Sequence, residues 1–117
     1  LFPSLYDRRF VPGTSLSGGE QKMTAIGRAL MSNPELILLD ELSLGLAPII
    51  IKDIYTILPT IKSEGVSILL VEQDINQALA VSDRVYCFQE GRVSLVGTPM
   101  ELTQEQISSA YFGSSHD

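Results

Sequence analysis

Three short stretches of this chain carry residue types that handle phosphate, cations and water. Ser17-Gly18-Gly19-Glu20 opens a helical pattern. A helix start leaves several backbone N–H groups without intrahelical partners and turns the positive end of the helix dipole outward, so it can hold a phosphate. The same residues also fit a plainer description, a Ser-x-x-Glu capping box with glycines shaping the turn. Further along, Leu36-Ile37-Leu38-Leu39 runs into Asp40-Glu41. Carboxylates at the carboxyl end of a buried parallel strand lie where ligands bind in open α/β sheets. An ionised pair there needs a cation or polar partners to offset desolvation, and magnesium is the natural candidate; the alternative is that both acids simply leave the strand for solvent. A second apolar run, Ser67 to Val71, ends in Glu72-Gln73. Gln73 can donate and accept a hydrogen bond but gains no proton near neutral pH, which excludes a pH-tuned switch at that position. A strand-end glutamine facing water is the competing description.

These groups need elements to place them. Ser17 to Ser32 reads as one helix: the capping box starts it, Met23, Ile26, Ala29 and Leu30 recur at helical spacing, and Asn33-Pro34 stops it. Leu36 to Leu39 and Ser67 to Val71 are short all-apolar runs, the pattern of parallel strands buried on both faces. Between them Pro48 suits a first helical turn, and Ile51, Ile54, Tyr55, Leu58 and Ile61 continue the period until Gly65; Pro59 should kink that helix. Ile75, Ala78 and Leu79 place a short helix after the second strand. The succession of strand, helix, strand and helix means an α/β core with right-handed crossovers. Val85 to Phe88 and Arg92 to Val96 flank the glycine turn Gln89-Glu90-Gly91 and read as an antiparallel hairpin at the sheet edge. Thr98-Pro99-x-Glu101 reads as a helix start leading into a helical stretch from Gln104 to Phe112. Leu1 to Ser15 is irregular, loop with at most one helical turn, and lacks heptads.

Composition narrows the class. The 117 residues are 44% hydrophobic, enough for a real core. Eight Lys+Arg against fourteen Asp+Glu give a net charge of -6, which argues against a partner bound through a broad basic face, nucleic acid above all. The lone Cys87 cannot form an internal disulfide and fits a reducing, cytosolic setting. The lone His116 reads as a solvated tail residue. No apolar stretch approaches the roughly 20 residues that a membrane-spanning helix needs, so a membrane role is expected to be peripheral. The beginning at Leu1 shows no signal-peptide pattern and looks like a cut.

Taken together, Gly13-Thr14-Ser15-Leu16-Ser17-Gly18-Gly19-Glu20-Gln21-Lys22 and Leu36-Ile37-Leu38-Leu39-Asp40-Glu41 resemble the signature and Walker B segments of ABC-family ATPases. No G-x-x-x-x-G-K-[ST] phosphate loop occurs in the chain. The chain therefore resembles the C-terminal half of an ABC nucleotide-binding domain of the P-loop NTPase (RecA-like) fold. In that frame residues 17–32 are the signature helix, 36–41 the Walker B strand, 67–73 the switch strand and 84–113 the C-terminal hairpin and helices. The stretches Ser43-Leu-Gly-Leu-Ala-Pro-Ile-Ile, Leu70-Val-Glu-Gln, Asn76-Gln-Ala-Leu-Ala and Ala110-Tyr-Phe-Gly resemble the ATP-binding subunit of branched-chain amino acid importers, in the form that carries glutamine in place of the switch histidine. Importers for urea or amides share much of this pattern.

The resemblance implies an ATPase with ATP and Mg²⁺ as cofactors. Ser17, Gly18 and Gly19, with Glu20 in the motif, would contact the γ-phosphate of ATP held by a facing subunit. Asp40 would hold Mg²⁺ through water, Glu41 would polarise the attacking water, and Gln73 would face the γ-phosphate. Ser43 to Pro48 falls where the family's D-loop crosses the dimer interface, with Ala47 in place of the usual aspartate; Leu42 stands where the family mostly has proline, which removes a fixed φ. Implied partners are a second nucleotide-binding subunit and two membrane permease subunits, at the cytoplasmic face of the membrane. Without the phosphate-loop half the chain is expected to be inactive, to expose strand edges and apolar faces, and to self-associate. Two other readings compete: an ABC-type ATPase of chromosome maintenance, which the absent heptads disfavour, and a non-catalytic docking module that retains the motifs as remnants.

Overall fold

The computed structural model describes residues 2–7, 9 and 17–112. Gly13 to Leu16, the front of the signature-like string, lie outside the described residues, as do Gly113 and His116. The chain divides into two units, residues 1–74 and 75–117.

The first unit opens with α1 (Pro3–Asp7) and continues with α2 (Gly18–Leu30), β1 (Leu36–Asp40), α3 (Pro48–Tyr55), α4 (Leu58–Ser63) and β2 (Ser67–Val71). β1 and β2 pair in parallel, Leu36 opposite Ser67 through Asp40 opposite Val71. Two further bonds extend the ladder, Ser67 N–H donating to the Glu35 carbonyl and Glu41 N–H to the Val71 carbonyl. The capping box at Ser17 is present: the Glu20 N–H donates to Ser17 Oγ at 3.1 Å, and the Ser17 N–H donates to Glu20 Oε1 at 3.2 Å. Two reciprocal bonds thus satisfy donors that the helix itself cannot.

Two expectations about this unit are corrected. The apolar run from Ile51 to Ile61 is not one kinked helix; α3 ends at Tyr55 and α4 begins at Leu58, with Pro59 in its first turn. Proline has no N–H to give to the preceding turn and its ring crowds the carbonyl four residues back, so the chain restarts the helix there. Nor are β1 and β2 buried on both faces. Ile37 and Leu39 are buried in the core with Ile26, Leu42, Ile54, Tyr55, Leu58 and Ile61, whereas Leu36 and Leu38 on β1 and Leu69 and Val71 on β2 are more than half exposed. Apolar composition indicates which strands suit double burial, but the covering layer must be present for it to occur.

The second unit comprises α5 (Ile75–Val81), β3 (Val85–Gln89), β4 (Arg92–Gly97) and α6 (Gln104–Phe112). β3 and β4 form the expected antiparallel hairpin, with a register shift between Cys87 and Phe88. Its two-residue loop has φ of 51° at Glu90 and 76° at Gly91, the left-handed pair of a type I′ turn whose twist matches the flanking strands. Among the described residues this hairpin is a two-stranded sheet of its own and not an edge of the parallel pair. Thr98-Pro99-Met100-Glu101 closes a single turn and does not start a helix. The cap of α6 is Thr103: its Oγ1 accepts the Gln106 N–H at 3.0 Å, and Gln106 Oε1 accepts the Thr103 N–H at 2.9 Å. Ile107 anchors α6 in this unit as a buried side chain.

Candidate functional site

The parallel register brings three of the sequence-derived site residues to one end of one sheet. Asp40 closes β1, Glu41 follows it, and Gln73 lies two residues beyond Val71, the partner of Asp40. Asp40 and Gln73 are exposed and Glu41 is half-buried. Glu41 also has a φ of 52°. A side chain with a Cβ occupies this left-handed region at a cost of about 1 kcal/mol or more, and such residues persist where the surroundings over-determine them.

The surroundings here include a group that the motifs did not single out. Lys22, one turn into α2, directs its ammonium into the turn after β1 and donates to the carbonyls of Glu41 at 2.7 Å, Leu42 at 2.8 Å and Leu44 at 3.2 Å. A lysine ammonium has three N–H donors, and all three are used on one turn. The Leu44 N–H adds a bond to the Glu41 carbonyl at 3.2 Å. Leu42, at the position where the resemblance expects proline, is buried at 5% exposure. It fixes the turn by packing where a ring would fix it by covalent geometry.

A second group gathers at the same turn. The Glu72 carboxylate accepts five donors: Ser43 Oγ at 2.7 Å, the Ser43 N–H at 3.2 Å, the Tyr55 hydroxyl, and the N–H groups of Gln73 at 3.0 Å and Asp74 at 3.4 Å. Burial works against the Glu72 charge, but the hydrogen bonds from Tyr55 and Ser43 and from the backbone of Asp74 and Ser43 outweigh it and hold this carboxyl below its ordinary value. Burial first, then the bond to Glu72 and the negative charges of Glu72 and Asp74, drive the Tyr55 hydroxyl well above the ordinary tyrosine range.

At the start of α2 the four motif residues divide by role. Ser17 and Gly18 are exposed, Gly19 is buried, and Glu20 is half-buried and reaches back to the cap. A Cβ on Gly19 would collide with Cγ2 of Ile50 in α3, so glycine is required there for the close approach of the two helices. A Cβ on Gly18 would meet Leu46 at 3.4 Å, a tight contact. Among the described residues no acceptor is found for the N–H groups of Gly18 and Gly19, the first two donors of the helix. A groove of about 220 Å³ runs between α2 and β1, lined by Lys22, Ala25, Ala29, Leu38 and Asp40 among others.

Among the described residues no three His, Cys, Asp or Glu side chains are grouped to hold a metal ion. A single exposed carboxylate such as Asp40 is a ligand type that suits a hard cation keeping water and phosphate oxygens as its other ligands, as Mg²⁺ does with a nucleotide.

Residues 3–43 match the family model described as ABC transporter. The high-affinity branched-chain amino acid transport ATP-binding protein BraG of Pseudomonas aeruginosa is 51% identical over 114 residues, 97% of this chain and 49% of the relative. Over nearly its whole length the chain is similar to ABC transporter ATP-binding proteins. The lipopolysaccharide export system ATP-binding protein LptB of Escherichia coli (strain K12) is 39% identical over 86% of this chain and 42% of the relative. Among solved structures, MJ1267, an ATP-binding cassette of an ABC transporter, superposes with a TM-score of 0.78 at 30% identity, covering 96% of this chain and 48% of that one. The chain spans about half the length of the curated relatives it matches. Its fold is that of ABC ATPase cassettes, parallel strands with helices and an antiparallel hairpin. No helix among the described residues is long and apolar enough to cross a membrane.

Proposed function

We propose that this chain supplies the water-activating and phosphate-contacting part of the ATP site in an ABC importer, with branched-chain amino acids as the transported class. It corresponds in this reading to the C-terminal half of the nucleotide-binding domain, α2 being the signature helix, β1 the Walker B strand and β2 the switch strand. The observation that carries the reading is the placement of Asp40, Glu41 and Gln73 at the carboxyl end of two parallel strands, in a chain 51% identical to a branched-chain amino acid transport ATP-binding protein.

Each residue has a task that its setting permits. Asp40, exposed at the strand end, holds Mg²⁺, which when bound neutralises charge on the phosphates. Glu41 accepts a proton from, and so orients, the water that attacks the γ-phosphate. Gln73 donates its side-chain amide to the same phosphate and, unlike histidine, does so without a change of charge near neutral pH. The N–H groups of Gly18 and Gly19, at the first turn of α2, with the Ser17 hydroxyl, receive the γ-phosphate of a nucleotide bound by a facing subunit, and the helix dipole favours the anion. Glu20 serves by holding the cap closed. The partners are that second subunit and a membrane permease pair, which place the chain at the cytoplasmic face of the membrane. The open apolar face of Leu36, Leu38, Leu69 and Val71 predicts that the chain by itself self-associates and, lacking a phosphate loop, turns over no ATP.

The test is to join this chain to the amino-terminal half of the Pseudomonas aeruginosa relative and measure Mg²⁺-ATP binding and phosphate release. Hydrolysis by the joined protein, and none by the chain alone, is the expected result. A joined protein that folds and binds Mg²⁺-ATP yet releases no phosphate would instead favour the non-catalytic docking module.

A further inference from the structure

We infer that Glu72 is a positioning residue for ATP hydrolysis, its carboxylate coupling the turn that follows Glu41 to Gln73 so that the two act on one phosphate in a fixed relation. The inference rests on the ATP-site reading above, and it concerns a residue to which neither the motifs nor that reading gives a task.

The geometry argues as follows. Glu72 lies between two candidate groups and touches the backbone of both segments. Its Oε1 accepts the N–H of Gln73 at 3.0 Å and the hydroxyl of Ser43 at 2.7 Å, while Oε2 accepts the Ser43 N–H at 3.2 Å. Ser43 is two residues past Glu41, inside the turn whose carbonyls Lys22 also holds. A displacement of β2's end is therefore transmitted to the turn, and the reverse. The third tie is to Tyr55, which is 4% exposed and forms part of the core. The clamp is thus referenced to the rigid interior and does not float between two loops.

The chemistry of the clamp also requires an ionised acid. All five partners are donors, and a carboxylate is acceptor-only, so no contact sets donor against donor. An amide of the same shape would place its own NH₂ against at least one O–H or N–H, leaving a donor unpaired. The hydrogen bonds that hold Glu72 ionised are the ones that fix its position. Catalysis by oriented groups is steep in position, and a misplacement of about 1 Å can cost ~100-fold in rate. A clamp between the water-orienting acid and the phosphate-facing amide is a place where such precision is set.

The experiment uses the joined ATPase described above. Glu72→Gln is expected to lower kcat, expressed per bound ATP, by about 10-fold or more, with KM for ATP and Mg²⁺-ATP affinity changed by less than about 2-fold. A purely structural role would lower the melting temperature and the bound fraction while leaving turnover per bound ATP intact; that result overturns the inference. Should Glu72→Gln fail to fold, Ser43→Ala removes one hydroxyl and spares the backbone bond. A fall in kcat of about 3-fold at unchanged KM is then expected, and unchanged kcat overturns the inference. If the unsubstituted joined protein hydrolyses ATP and Glu41→Gln does not, but Glu72→Gln turns over normally, the ATP-site reading stands and the role of Glu72 alone is lost. If the unsubstituted protein hydrolyses nothing, both fall together.

Discussion

The start of α2 and the turn after β1 both present candidate ATP-site groups, but they are held by opposite means. At the helix start the ties are local. Ser17 and Glu20, three residues apart, cap each other, and a steric constraint is added by Gly19 against Ile50. At the turn nearly every tie comes from a distant part of the sequence: Lys22 reaches across 19 to 22 residues to three carbonyls, and Glu72 across 29 residues to Ser43. The difference teaches where the two regions can fail. A local cap survives any event that leaves its helix intact, whereas the turn, with Glu41 in a left-handed conformation, depends on the assembled unit.

Four substitutions or conditions sharpen this contrast. Lys22→Met retains the apolar stem and deletes the ammonium, stranding three carbonyls. It should cost about 3 kcal/mol, read as a lowered urea midpoint, because charge-assisted bonds to half-buried partners are lost together. If the loss is negligible, the turn is held by packing of Leu42 alone. Gly19→Ala should cost about 2 kcal/mol through the forced separation of α2 from α3, measured in the same way; a neutral outcome would mean that Ile50 moves aside freely. Ser17→Ala removes one capping acceptor and should cost about 1 kcal/mol, visible as a small drop in melting temperature, with Ser17→Gly milder still.

The smallest effect is a pH dependence. The Glu72 carboxyl is held below its ordinary value of 4.5, so its stabilising contribution is complete above that value and is lost as pH falls through the lower, folded value. Tyr55 is shifted upward from 10.0, so its contribution is complete below that value and fades only at more alkaline pH. Stability of the first unit should therefore decline on the acid side, and Glu72→Gln should flatten that decline when urea midpoints are compared across pH. An unchanged acid profile would place the acid sensitivity elsewhere.

What the sequence made legible follows the same division. The capping box, α2, both parallel strands, the hairpin and α6 are coded by residues within a few positions of one another, and each is found close to its expected span. The carboxylates at the end of β1 and Gln73 at the end of β2 follow from those strands once their parallel pairing is granted. The Lys22 and Glu72 ties were not legible, because a lysine in a helix and a glutamate beside a strand end carry no local sign of partners that only tertiary structure supplies. Tyr55 fell into a helical stripe and read as core, which it is, while its hydroxyl partner was invisible. The break between α3 and α4 was half-legible: Pro59 marked the place, but whether a helix bends or restarts depends on how Tyr55 and Leu58 both find the core. The open face of β1 and β2 agrees with the expected exposure of apolar faces, whereas the all-apolar pattern by itself reads as burial on both sides, since apolar side chains record a suitability for burial and not its completion.

The most direct test of the account is phosphate release by the joined ATPase carrying Glu41→Gln, a nearly isosteric change that removes the proton acceptor. The account predicts a loss of turnover of about 1,000-fold, with Mg²⁺-ATP still bound at near-normal affinity. Turnover at the unsubstituted rate would contradict it, because the account assigns the proton of the attacking water to Glu41.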